Sequence, residues 1–122
     1  MTLTAILSSF DSYRPNTLPE GLKLHWINTL EATIFNDVIS QRLKDGGVFT
    51  PFTPADGDRE LSIPHPYTDV YLHYLALQTD LYYGDVARYN NDLMLYTSAF
   101  SGYAKRVNKL APPIKTTAYF NA

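Results

Sequence analysis

The sequence predicts an all-α fold, a four-helix bundle-like domain with a long helical hairpin. Apolar residues recur at spacings of three and four through most of the chain, Pro and Gly fall where those runs begin or end, and the last run is unbroken. An irregular or short β-hairpin loop is expected between helices two and three, and an extended tail after helix four. At 122 residues the chain suffices for one domain with its own core. Residues 1–110 form the expected helical domain, with a loop excursion at 45–66, and residues 111–122 form the tail.

The first helix follows from Leu3, Ile6, Leu7 and Phe10, which share one face and begin next to the capping candidates Thr2 and Thr4. Pro15 disfavours helical geometry at Arg14 and closes it. The second helix opens at Pro19, whose fixed φ suits a first helical position, and runs toward Gly46-Gly47. Its stripe reads Leu22, Trp26, Ile27, Leu30, Ile34, Val38 and Ile39, while Lys23, Asn28, Glu31, Asp37 and Arg42 are assigned mostly to other faces.

Three Gly and four Pro punctuate the excursion, where two β-like pieces, Val48–Phe52 and Glu60–Ile63, could pair as a hairpin across Ala55-Asp56-Gly57-Asp58. A loop of that length is either functional or mobile. The third helix is expected from Pro66, with Tyr67, Val70, Tyr74, Leu77 and Leu81 as its stripe and Tyr71, Leu75 and Tyr82 widening the face. Gly84 ends it and Asp85 caps the next. The fourth helix carries Val86, Tyr89, Leu93, Tyr96, Phe100, Tyr103, Val107 and Leu110, a heptad seam that either packs on the third helix or meets another subunit. Trp26, Leu30, Tyr74, Leu93, Tyr96 and Phe100 are the expected core anchors.

Composition narrows the chemistry. The absence of cysteine removes disulfides, thiolate metal sites and thiol catalysis. A formal charge of -2 is too balanced for a sequence-independent nucleic-acid binder. No apolar run approaches the ~18 residues that a membrane span needs, and no signal-peptide pattern opens the chain, so synthesis in the cytoplasm is expected. The aromatic content is high, with ten Tyr, six Phe and one Trp. Tyrosine suits half-buried positions between helices or between subunits. Tyr71, Tyr82, Tyr83 and Phe35 lie off the principal stripes and suggest surfaces that meet neighbours.

His25, His65 and His73 have no partner at ligand spacing, and Asp56-Gly57-Asp58 with Glu60 lacks the remaining ligands of a calcium loop. No catalytic residue, metal or cofactor is assigned, and the chain is not expected to be an enzyme.

Several segments in order carry a resemblance. They are Asp11-Ser12-Tyr13-Arg14-Pro15-Asn16, then Lys23 to Glu31, then Glu60-Leu61-Ser62-Ile63-Pro64 running into Pro66-Tyr67-Thr68-Asp69-Val70-Tyr71, and finally Tyr82-Tyr83-Gly84-Asp85 leading to Arg88-Tyr89-Asn90-Asn91. Their order and spacing resemble the head-tail connector or adaptor (head-completion) proteins of tailed bacteriophages. The resemblance implies a virion protein of the neck, with about a dozen copies in a ring beneath the portal protein. That ring would extend the DNA channel without specific DNA binding and present a platform to the next neck protein, a stopper or tail terminator. It also implies that the C-terminal tail, with Pro112, Pro113, Ile114, Tyr119 and Phe120, docks on the portal. Val48, Phe49, Phe52, Leu61 and Ile63 of the excursion are the expected contacts to a neighbouring subunit or neck protein. The alternative is a small helical regulatory or inhibitory protein that grips one host or phage partner.

Overall fold

The computed structural model describes residues 1–110. The described residues are all-α: α1 (Leu3–Tyr13), α2 (Glu20–Ile34), α3 (Asp69–Tyr83) and α4 (Val86–Leu110), with no strand among them. A π-helical turn, Phe35–Ile39, and a 3-10 turn, Ser40–Arg42, prolong α2.

Thr2 caps α1 by accepting the Ala5 N–H at 3.2 Å, and Leu3, Ile6 and Phe10 bury the apolar face. Pro19 stands one place earlier than expected. It is the N-cap of α2, and its carbonyl accepts the Leu22 and Lys23 N–H groups. Along α2 the hydroxyls of Thr29 and Thr33 bond the carbonyls four residues back, and Ser40 does the same to Asn36. Such back-bonding competes with the helical ladder and bends helices, and the Ser40 bond takes up the Asn36 carbonyl within the π turn.

Between α2 and α3 the loop takes the irregular form of the two expected, without a β-hairpin, because each β-like piece pairs with something other than the other piece. The Asn28 side chain on α2 plays the part of a strand toward Phe52, accepting its N–H at 2.7 Å and donating to its carbonyl at 2.9 Å. The second piece pairs with the start of the chain. Glu60 forms an antiparallel bridge with Thr2, Leu61 N–H donates to Met1 O, and Leu3 N–H donates to Arg59 O. Arg59 links the two pieces, lying 3.8 Å over the Phe52 ring and donating to the Thr50 carbonyl at 2.7 Å.

The segment is held to the helices by a buried carboxylate. Glu31, only 1% exposed, accepts the Ser62 N–H at 2.9 Å and the Tyr71 hydroxyl at 2.8 Å, and that hydroxyl in turn accepts the Ile63 N–H at 2.9 Å. One glutamate therefore ties α2, the irregular segment and α3 together. Burial raises the Glu31 carboxyl above its ordinary range, and the bonds from Tyr71 and Ser62 oppose the rise.

α3 begins at Asp69 rather than Pro66, since Tyr67 N–H first closes a turn on Pro64 O. It packs on α1, α2 and α4, so one stripe does not suffice. Val70, Tyr71, Leu75, Ala76 and Leu77 are buried, Tyr74 is half-buried, and Leu81 is exposed. Gly84, at φ 71, provides the left-handed residue that ends α3, and Asp85 Oδ1 caps α4 by accepting the Arg88 N–H at 3.1 Å. Tyr74 meets Tyr96 at 5.4 Å and Tyr67 meets Tyr103 at 6.1 Å between ring centroids, so α3 and α4 pair with their chain directions opposed.

Only part of the heptad seam is buried. Tyr103 is buried, Tyr96, Phe100 and Val107 are half-buried against the core, and Val86, Leu93 and Leu110 are exposed. Leu93 is thus no core anchor. Asp92, one residue before it, points inward to meet Arg14 and turns Leu93 to the edge of the interface. Trp26 and Leu30 lie in the core with Phe52, Leu61 and Ile63.

Tyr71→Phe would leave the Ile63 N–H and one Glu31 oxygen without their partner in the interior. A destabilisation of about 2–4 kcal/mol is expected in urea unfolding, at the sum of two unsatisfied buried groups. A loss below about 0.5 kcal/mol would show that the clamp contributes little.

Candidate interaction surfaces

Two charge clusters were not legible as such in the sequence, and both fix α1 against its neighbours. In the first, Arg14 follows the last turn of α1 and reaches between α3 and α4. Its guanidinium donates to Asp80 Oδ1 at 2.5 Å, to Asp92 Oδ2 at 3.2 Å and to the Ala76 carbonyl at 3.0 Å. Asp80 is 1% exposed, and its other oxygen has no hydrogen-bond partner among the described residues. Burial, together with the neighbouring Asp92 carboxyl, pushes Asp80 up to about 6, and Arg14 opposes this. One cation thus faces two carboxylates. Beside them a polar cavity of about 540 Å³ opens, with Asn16, Tyr83 and Arg88 on its walls.

In the second cluster Lys23, buried on α2, donates to Asp11 and Glu20, each at 2.8 Å. Burial acts against the ammonium, but the two carboxylates hold it above its ordinary range. Asp11 is lowered because bonds from Lys23 and Asn16 outweigh its own desolvation. The sequence signal was present in both clusters. Lys23 lies among the apolar positions of α2, and Asp92 sits three residues after Tyr89 and four before Tyr96, inside the seam.

The structure redistributes the expected contact residues. Phe52, Leu61 and Ile63 are buried in the protein's own core, so they are not available to a neighbour. Phe49 is half-buried and packs on Phe35 at 6.1 Å. Val48, 87% exposed, is the member of that set left facing outward. Tyr71, expected at a surface, is fully buried. Pro112, Pro113, Ile114, Tyr119 and Phe120 lie outside the described residues.

Exposed apolar area concentrates instead around the α3–α4 turn. Leu81, Tyr82, Tyr83 and Val86 are each more than half exposed. Tyr82 rests edge-on against Trp26 at 6.3 Å and against Tyr83 at 5.1 Å, so this collar is built on the core. A small cleft of about 100 Å³ lies between Leu81, Val86 and Tyr89. A grouping of exposed aromatic and aliphatic side chains of this kind marks a contact surface more often than a solvated one.

The histidines do not converge. Among the described residues no group of three or more His, Cys, Asp or Glu side chains could hold a metal. Asp56 is occupied as the reciprocal half of the Thr53 capping box, accepting the Thr53 N–H at 2.7 Å. Among the described residues no helix is long and apolar enough to cross a membrane. The chain matches no protein-family model, no curated protein and no solved structure.

Because the Asp80 pKa is raised by folding, its contribution to stability is fully present below its ordinary value of 3.8 and is lost as pH climbs through about 6. Thermal melts of wild type and Asp80→Asn between about pH 4 and about pH 7 should show the variant gaining on wild type by several degrees as pH rises. A pH-independent difference would mean that Asp80 titrates normally.

Proposed function

We propose that the chain is a structural subunit of a tailed-phage neck, a ring-forming adaptor between the portal and the next neck protein, through whose channel DNA passes without specific binding. The observation that carries this reading is the ordered run of segments from Asp11 to Asn91 that resembles the connector family. The collar at the α3–α4 turn supports it. Tyr82, Tyr83 and Val86 expose apolar surface on a turn braced from behind by Arg14 and Trp26. A rigid apolar projection suits docking on a preformed partner, because little conformational freedom is lost on contact. In this reading the collar is the face presented to the portal or the next neck protein.

Two measurements test it. Cryo-electron microscopy of the neck of intact virions should show symmetric density below the portal that accepts the four-helix subunit. Absence of the chain from mature particles contradicts the proposal and favours a regulatory protein that binds one partner. In a binding assay with purified portal and downstream neck proteins, Tyr83→Asp with Val86→Asp should weaken the collar-mediated contact at least tenfold, or about 1.4 kcal/mol, while helical circular dichroism is unchanged. Unaltered binding to both partners removes the collar from the interface.

A further inference from the structure

A groove of about 550 Å³ runs between α1 and the first turns of α2, away from the collar. Leu3, Leu7 and Leu24 give it an apolar floor, Ser8 and Gly21 lie along it, and Pro54 closes one end. Gly21 leaves it open, since a Cβ there would meet no atom within 4 Å. Asp11 and Glu20 stand on its rim with side chains 42% and 70% exposed, and together they leave one negative charge beyond the buried Lys23.

Charge is segregated along the chain. All twelve carboxylates occur at or before Asp92, whereas Lys105, Arg106, Lys109 and Lys115 follow it with no acidic residue among them. Lys105, Arg106 and Lys109 are exposed. A segment that continues from this basic end and carries Ile114, Lys115, Tyr119 and Phe120 has the apolar side chains for such a floor and the cation for such a rim.

We propose that the groove receives residues 114–120 of a second copy of the chain, so that copies join groove to tail. Reach argues for the second copy over the chain's own segment. The Arg42 guanidinium donates to the Asn108 side chain, which places the end of α4 beside the end of the helical run of α2. The groove lies at the opposite end of that run, near Glu20 and Leu24, roughly 30 Å away at 1.5 Å per residue. Ile114 follows Leu110 by four residues and can lie at most about 14 Å from it, and Tyr119 and Phe120 could come level with the chain's own groove only on a straight path of about 30–35 Å. In a neighbour no such limit applies.

A contact between different patches on identical copies is heterologous and generates a ring when its rotation closes. The inference deepens the ring reading and rests on it for that closure. It also sends the tail to a neighbouring subunit, where the family resemblance sends it to the portal.

The chain has no cysteine, so single thiols report contact directly. Ser8→Cys chains are mixed with Tyr119→Cys chains under mild oxidation, and the same mixture is weighed by native mass spectrometry. A mixed disulfide of twice the chain mass is expected. It should be lost when Gly21→Trp, which puts a bulky side chain into the groove from a position where a Cβ meets nothing within 4 Å, is added to the Ser8→Cys chain, and it should weaken as salt rises. Oligomers without a mixed disulfide overturn this contact and leave the ring standing on another face. Monomers without the disulfide overturn this contact and self-assembly together. An intrachain disulfide at monomer mass in the Ser8→Cys, Tyr119→Cys double variant, in place of the mixed product, also overturns it by showing that the segment folds back on its own groove.

Discussion

A carboxylate that is 1% exposed persists in a protein interior only if its oxygens are occupied, and the arrangement around Glu31 is built to occupy them. Ser62 and Tyr71 satisfy one oxygen each, and Ile63 satisfies the tyrosine. The consequences extend well beyond the pair. Residues 43–68 contain no regular element longer than the 3-10 turn Pro54–Asp56, yet Phe52, Leu61 and Ile63 from this segment lie in the core. Their backbone cannot use a sheet to satisfy itself. It uses the Asn28 amide, the Glu31 carboxylate and the first residues of the chain instead.

The same logic explains the position of α1. Its apolar face alone would allow some sliding over α3, but Arg14 at one end and Asp11, through Lys23, on its flank fix the helix axially. Arg14 is also the only cation facing Asp80 and Asp92 among their described hydrogen-bond partners. The α3–α4 turn is therefore braced from inside by a charge cluster and from the side by the Trp26–Tyr82 contact. That bracing is what lets Tyr82, Tyr83 and Val86 stand exposed on a firm support, and it is the physical link between the core and the proposed docking role.

Fold class, the order of the helices and most of their ends were legible in the sequence because they rest on local rules. Thr2 and Asp85 cap, Pro15 and Gly84 terminate, and apolar spacing marks the faces. What was not legible depends on partners distant in sequence. Asn28 replaces a strand across 24 residues, Arg14 finds Asp92 across 78, and neither separation leaves a periodic signal. Lys23 and Glu31 were assigned to the polar side of α2 by residue type, although their places among apolar positions pointed inward. The contact surface was misplaced for the same reason. Isolated apolar residues in a Pro- and Gly-rich loop resemble exposed anchors until the polar groups that draw Phe52, Leu61 and Ile63 inward are located. The collar at Leu81–Val86 was partly visible, since Tyr82 and Tyr83 fell outside the stripe of their helix.

The central claim is that the Glu31 clamp makes the irregular segment as firmly held as the helices around it. Native-state hydrogen exchange at the Ser62 and Ile63 amides tests this most directly. Both amides donate to buried acceptors, so they should exchange only through global unfolding, at the rate of the slowest α3 amides and with the same dependence on denaturant. Exchange of these two amides as fast as that of exposed Val48 would contradict the account and leave the segment only loosely attached to the helices.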